Sequence, residues 1–94
     1  MGDHTIDTLR ADTAQVLAKV REERDELRLK LHLARAEVRD EWQKLEPRFE
    51  HLVARVGDVA ESAGEASRDV GTAVGLLGEE LRRGYARIRK AMHP

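Results

Sequence analysis

Four histidines, His4, His32, His51 and His93, are the side chains in this 94-residue sequence best suited to bind a transition metal or to move a proton near neutral pH. A zinc site within one chain needs three or four ligands brought together, and a helix commonly supplies two of them four residues apart. None of the histidines has another at that spacing, and the cysteine count is 0. No metal or cofactor is expected, and disulfides and thiol catalysis are excluded. No serine or histidine stands in a nucleophile-like setting, and the carboxylates alternate with cations as on solvated helix faces. The segment Gly71-Thr-Ala-Val-Gly-Leu-Leu-Gly-Glu-Glu80 has the glycine content of a phosphate loop. No strand pattern precedes it and no Gly-Lys-Ser/Thr follows, so a small-molecule phosphate substrate is not expected.

The remaining chemistry is ionic. Toward the C-terminus Arg82, Arg83, Arg87, Arg89 and Lys90 make a basic segment whose other side carries Leu77, Leu81, Tyr85, Ile88 and Met92. Such a helix can contact lipid headgroups or other anions, or its cations can complement the dipole of its own C-terminal end. The net charge of −1 supplies no general attraction to nucleic acid, and one tyrosine with no aromatic interleaving offers no base-stacking platform. Specific nucleic-acid recognition is not expected.

The elements that must carry these residues are helices. Apolar or small residues step by three and four through Ile6, Leu9, Thr13, Val16 and Val20, then through Leu27, Leu31, Ala34, Val38, Trp42, Leu45, Phe49, Leu52, Val56 and Val59, and on through Ala63 and Ala66 to Val70, Ala73, Leu77, Leu81, Tyr85, Ile88 and Met92. Aromatic residues are 3% and charged residues 37%, so burial rests on many aliphatic side chains along an extended seam. Consecutive steps of four, as at Ala34, Val38 and Trp42, break a strict heptad and relax any left-handed supercoil. The fold class expected is all-α: long amphipathic helices forming a helical hairpin or coiled coil in one elongated domain, residues 1–94.

Two features set the expected breaks. Pro47 removes a helical hydrogen bond, but the stripe stays in register through Leu45, Phe49 and Leu52, so a kink is expected there. Ser62, Gly64 and Ser67 offer a C-cap glycine and a fresh N-cap, which places the chain reversal near Gly64. The expectation is a first helix over about 5–62, kinked near 47, and a second over about 66–92.

Glycine recurs at Gly57, Gly64, Gly71 and Gly78, on the border of a face built from alanine and valine. Each glycine costs a helix about 1 kcal/mol relative to alanine, so a border row of them is expected where another backbone comes close. The alternating leucines Leu27, Leu29, Leu31 and Leu33 put a second apolar line on the far side of the same helix. A helix apolar on two sides needs two neighbours. The residues expected to make helix–helix contacts are these four with Val38, Trp42 and Phe49. Leu77, Leu81, Tyr85 and Ile88 join them from the second helix.

The stretch from Arg24 to Leu52 together with Val70 to Met92 resembles a group of small uncharacterised proteobacterial coiled-coil proteins, some labelled apolipoprotein-like for their amphipathic repeats. The resemblance implies a helical bacterial protein and transfers no catalytic residue; Pro47 departs from the uninterrupted charged segment expected at that place. The longest uncharged run near the C-terminus, residues 70–78, is far short of the roughly 20 needed to cross a bilayer. The first ten residues lack a signal-peptide pattern, and Ile6 stands where a myristoylation signal wants Ser or Thr, so a cytoplasmic location is expected. The function expected is structural or adaptor association with a second copy or another helical protein. The alternative is reversible lipid-surface binding through the basic C-terminal helix.

Overall fold

The computed structural model describes the backbone of residues 2–61 and 66–92 and the side chains of 7–61 and 68–92. Three helices account for nearly all of it: α1 (Gly2–Lys30), α2 (Ala36–Glu61) and α3 (Ala66–Met92), with a short 3₁₀ turn, Leu31–Leu33, after α1. Described residues contain no strand. The helices lie side by side in a rod of 51 × 16 × 16 Å.

The pairings give the direction of each helix. Leu9 lies against Gly71 and Val16 against Gly78, while Glu23 binds Arg82, so α1 and α3 run parallel. Trp42 meets Tyr85, Leu45 meets Gly84 and Arg48 binds Glu80, so α2 runs antiparallel to α3. The result is an up, down, up bundle.

The first helix therefore does not run from residue 5 to 62; it ends at Lys30, and the chain turns back through residues 31–35. Ala34 is extended, with φ −85° and ψ 152°, and its N–H donates to the Leu31 carbonyl at 3.0 Å. The Arg35 carbonyl then accepts from the N–H groups of Val38 and Arg39, both at 3.1 Å, which starts α2. No glycine or proline marks this turn. One uninterrupted helix would leave its stripe in water, whereas folding back lets α1 and α2 bury theirs against each other and α3.

Pro47 sits inside α2, and the helix continues on both sides of it. Pro47 and Gln43, whose carbonyl loses its helical donor, are both exposed, so that carbonyl is on the side where water can serve it. Leu45 and Phe49, on either side of the proline, are buried and hold the helix to the core. The reversal expected at Gly64 lies outside the described residues; α2 and α3, which flank it, run antiparallel.

The core is a column. Val20 and Leu27 come from α1, Trp42, Leu45, Phe49 and Leu52 from α2, and Val74, Leu81, Tyr85 and Ile88 from α3, with Val59 buried further along α2. Thr13 is the polar residue buried in the same line, and its hydroxyl donates to the Arg10 carbonyl one turn back at 3.1 Å. That bond removes the cost of taking a hydroxyl out of water.

Glycines let α3 approach both neighbours. A Cβ built on Gly78 would stand 2.5 Å from a Val16 methyl, and one on Gly84 would stand 2.7 and 2.8 Å from the two Leu45 methyls. Gly71 faces Leu9 at 2.6 Å, while Gly57 and Gly75 have nothing within 4 Å. The sevenfold row is thus a close-packing device at Gly71 and Gly78 but not at Gly57, and Gly84, which meets both Leu45 methyls, lies outside it. Substitution by alanine should sort these positions by sign. Gly84→Ala is expected to lose about 1–3 kcal/mol because buried Leu45 has no room to retreat, and Gly78→Ala to lose somewhat less. Gly75→Ala should gain about 0.5–1 kcal/mol from helix propensity alone. Denaturant midpoints of the three variants check this; a loss at Gly75 equal to that at Gly84 would contradict it.

Candidate functional site: the cleft between the second and third helices

Of the contact residues expected from the sequence, Leu27, Trp42, Phe49, Leu81, Tyr85 and Ile88 are buried inside the chain's own bundle. Leu31, Val38 and Leu77 are half-buried against the same core. The buried side chains serve the fold, while Leu77 also lines a cleft between α2 and α3. Leu29 and Leu33 differ: they remain 78% and 75% exposed, as a second apolar line facing away from the core.

At the heart of the bundle is a polar junction. The Arg24 guanidinium on α1 donates through Nε and Nη2 to the two carboxylate oxygens of Glu46 on α2, at 2.9 and 2.7 Å. The same guanidinium lies 4.5 Å from the centre of the Phe49 ring. A two-point bond of this kind fixes both distance and rotation between helices. The hydrogen bond to Glu46 holds Arg24 even further into its charged form against the burial that opposes it.

Tyr85 of α3 completes the junction, its ring 5.7 Å from that of Trp42 and tilted by 38°. It is fully buried, and its hydroxyl has no hydrogen-bond partner among the described residues. Burial pushes the phenol well above its usual range; the Glu46 charge adds to the shift and the Arg24 charge opposes it. Its buried setting favours the neutral phenol.

The basic residues of α3 divide. Arg82 donates to Glu23 of α1 at 3.1 Å and Arg83 to Glu79 one turn back at 2.8 Å. Arg87, Arg89 and Lys90 are exposed and in no ion pair among the described residues. The apolar side on which a lipid-binding α3 would depend is inside: Leu81 and Tyr85 are inaccessible and Ile88 nearly so.

Among the described residues, clefts lie both between α1 and α3 and between α2 and α3. The one between α1 and α3, about 800 Å³, has charges of both signs along its walls, with Lys19, Glu23, Glu79, Arg82 and Arg83 among them. Its ion pairs already satisfy much of that charge. The cleft between α2 and α3, about 450 Å³, is more apolar: Val70, Ala73, Leu76 and Leu77 of α3 form its floor and one wall. His51 and Arg55 stand on the α2 side, Asp69 and Glu80 on the α3 side. Leu76 is 65% exposed. It escaped the sequence reading because Leu77 already filled the stripe position; two adjacent leucines on a helix point about 100° apart, and that pair was the available signal.

No group of three or more His, Cys, Asp and Glu side chains comes together among the described residues, and no helix of the described chain is long and apolar enough to cross a membrane. The chain matches no family model, no curated protein and no solved structure.

The junction yields a pH-dependent expectation. A phenol whose folded pKa is raised contributes stability that is fully present below about pH 10 and is lost as pH rises from there toward the folded value. The wild type should therefore lose stability above pH 10 more steeply than Tyr85→Phe. At pH 7 that variant should be as stable or about 1 kcal/mol more so, because it removes an unpaired buried hydroxyl. Thermal melts at pH 7 and 10.5 test both points, and parallel slopes for the two proteins would refute the first.

Proposed function

We propose that this chain is a non-enzymatic structural or adaptor protein that works by helix–helix association. The observation that carries the reading is the set of leucines left in water, Leu29, Leu33 and Leu76, on a bundle whose three helices have already closed their core. A chain with only 40% hydrophobic residues has few large apolar side chains to leave outside. Each exposed leucine forgoes the roughly 1.5–3 kcal/mol that burial would return. Leu29, near the end of α1, and Leu33, in the 3₁₀ turn that follows, are four residues apart, and Leu76 lies in an apolar cleft, so each offers an apolar contact to another helix. The lipid-surface alternative gains no such support, because the apolar side of the basic C-terminal helix is committed to the core.

The test joins two measurements. Sedimentation of the chain alone reports self-association, and affinity capture from the native cell reports other helical partners. Leu29→Glu with Leu33→Glu, and separately Leu76→Glu, serve as matched controls; circular dichroism is expected to match the wild type because all three sites are exposed. At least one association should weaken tenfold or more in one of the variants, the equivalent of about 1.4 kcal/mol. A monomer whose captured proteins are the same in wild type and both variants would remove the reading.

A further inference from the structure

We infer that the cleft between α2 and α3 is the contact surface of a two-fold homodimer, with α3 of one copy lying antiparallel to α2 of the other. This rests on the association reading above and names its partner as a second copy of the chain.

The argument starts from the sign of the walls. On the α2 side of the cleft stand Arg55 and His51, with Arg48 next in line; on the α3 side stand Asp69 and Glu80. A two-fold axis parallel to the rod turns the α2 wall of one copy over the α3 wall of the other, so His51 and Arg55 of one face Asp69 and Glu80 of the other. A two-fold axis across the rod would stack α2 on α2 and α3 on α3, setting like charges against each other. Closed dimers are two-fold, and this is the orientation in which the face complements itself.

The heights of the charges agree. The Arg48–Glu80 ion pair fixes one level shared by α2 and α3. From it, at 1.5 Å per residue, Arg55 lies about 10 Å along the rod and Asp69 about 16 Å in the same direction. A rotation about the long axis preserves height, so Arg55 of the second copy comes within about 6 Å along the axis of Asp69, one helical turn, which an arginine side chain spans. Between these charges Leu76 projects toward the aliphatic stems of the opposing α2 wall, while Val70, Ala73 and Leu77 bring little bulk that would hold the helices apart. Among the described residues Arg55 is engaged by its own helix, with Asp58 at 3.5 Å and His51 at 3.1 Å, both exposed contacts that it can exchange.

The rod is 51 Å long, and α2 and α3 run side by side along it, so the face they share is long enough for helix–helix contact over several turns. Pairing there also repeats the antiparallel α2–α3 packing already present inside each chain, so α3 would have an α2 helix on both sides.

Analytical ultracentrifugation with circular dichroism on the full chain decides the matter. The wild type should be a dimer at micromolar concentration, and Leu76→Glu should raise the dissociation constant at least tenfold with helicity unchanged. Arg55→Glu and Asp69→Arg should each weaken the dimer about tenfold, and the double variant should recover most of that loss, since reversing both walls restores the match. A monomer up to about 100 µM, a trimer or larger closed ring, or a dimer indifferent to Leu76→Glu would each overturn the inference. A monomer whose captured partners still depend on Leu29, Leu33 or Leu76 would overturn the homodimer and leave the association reading standing. A monomer with no such partner would sink both.

Discussion

The close approach of α3 to both of its neighbours is the contact on which the rest of this bundle depends. Aliphatic side chains of medium size fill the core, and only three aromatic residues are present in the whole chain. With so little volume per residue, helices spaced by ordinary side chains would leave gaps, and unfilled gaps cost dispersion energy that a small domain lacks. Bare backbone at Gly78 and Gly84 lets the Val16 and Leu45 side chains reach α3 itself. Once α3 is that close, Tyr85 stands beside Trp42 and the Arg24–Glu46 bond can close across the neighbouring α1–α2 seam. The glycines weaken α3 as an isolated helix. They are tolerable because its order is supplied by packing rather than by propensity.

Placing a charge pair within that seam adds a constraint which apolar packing cannot. An aliphatic column permits one helix to slide or rotate against another with small changes in energy. The Arg24 fork on Glu46, seated against the Phe49 ring, is satisfied in one register only. The side chain of Arg24 is 16% exposed and that of Glu46 30%, so part of the desolvation cost of a buried pair is avoided while the geometry is kept. Tyr85 is the counterweight: its hydroxyl is enclosed without a partner. The fold thus accepts one poorly served polar atom in exchange for a large ring at the level where all three helices meet.

Much of this arrangement was legible in the residues, and the places where it was not have physical causes. The stripe from Val20 through Leu45, Leu52 and Val59 to Ile88 reads as helix because burial recurs every three or four positions, and those residues are buried. The turn at 31–35 was missed because it carries no conformational specialist; an ordinary alanine takes up the extended geometry and an arginine carbonyl begins the next helix. Its faint sign was the doubled leucine pattern, within which the helix ends; the two neighbours that pattern asks for are present as α2 and α3. Pro47 lies inside a helix that continues past it, as its in-register stripe requires. A proline advertises its cost in sequence, but whether water can reach the deprived carbonyl depends on a rotation that only tertiary packing sets. The aromatic and C-terminal residues expected to make helix–helix contacts make them within the chain; periodicity reports that a side is buried and not what buries it.

That last ambiguity also explains why the surface has to be read differently from the core. A stripe is a statement about an average direction, and three helices together can satisfy one stripe each. What remains after they do so is informative because it is in excess of what folding uses. Leu76 beside a core-facing Leu77, and Leu29 and Leu33 beside core-facing Leu27 and Leu31, are such remainders. Around Leu76 the excess coincides with walls of opposite charge, whereas Leu29 and Leu33 have no comparable frame. Apolar area alone would attract any helix; a bipolar cleft also rejects wrong orientations, because misregistered like charges oppose each other in partly dehydrated surroundings. Selectivity of this kind needs a rigid frame, since charges on a shifting bundle would meet several registers equally well. The bidentate bond at the centre and the glycine-mediated contacts of α3 supply that rigidity, which ties the geometry of the interior to the discrimination available at the surface.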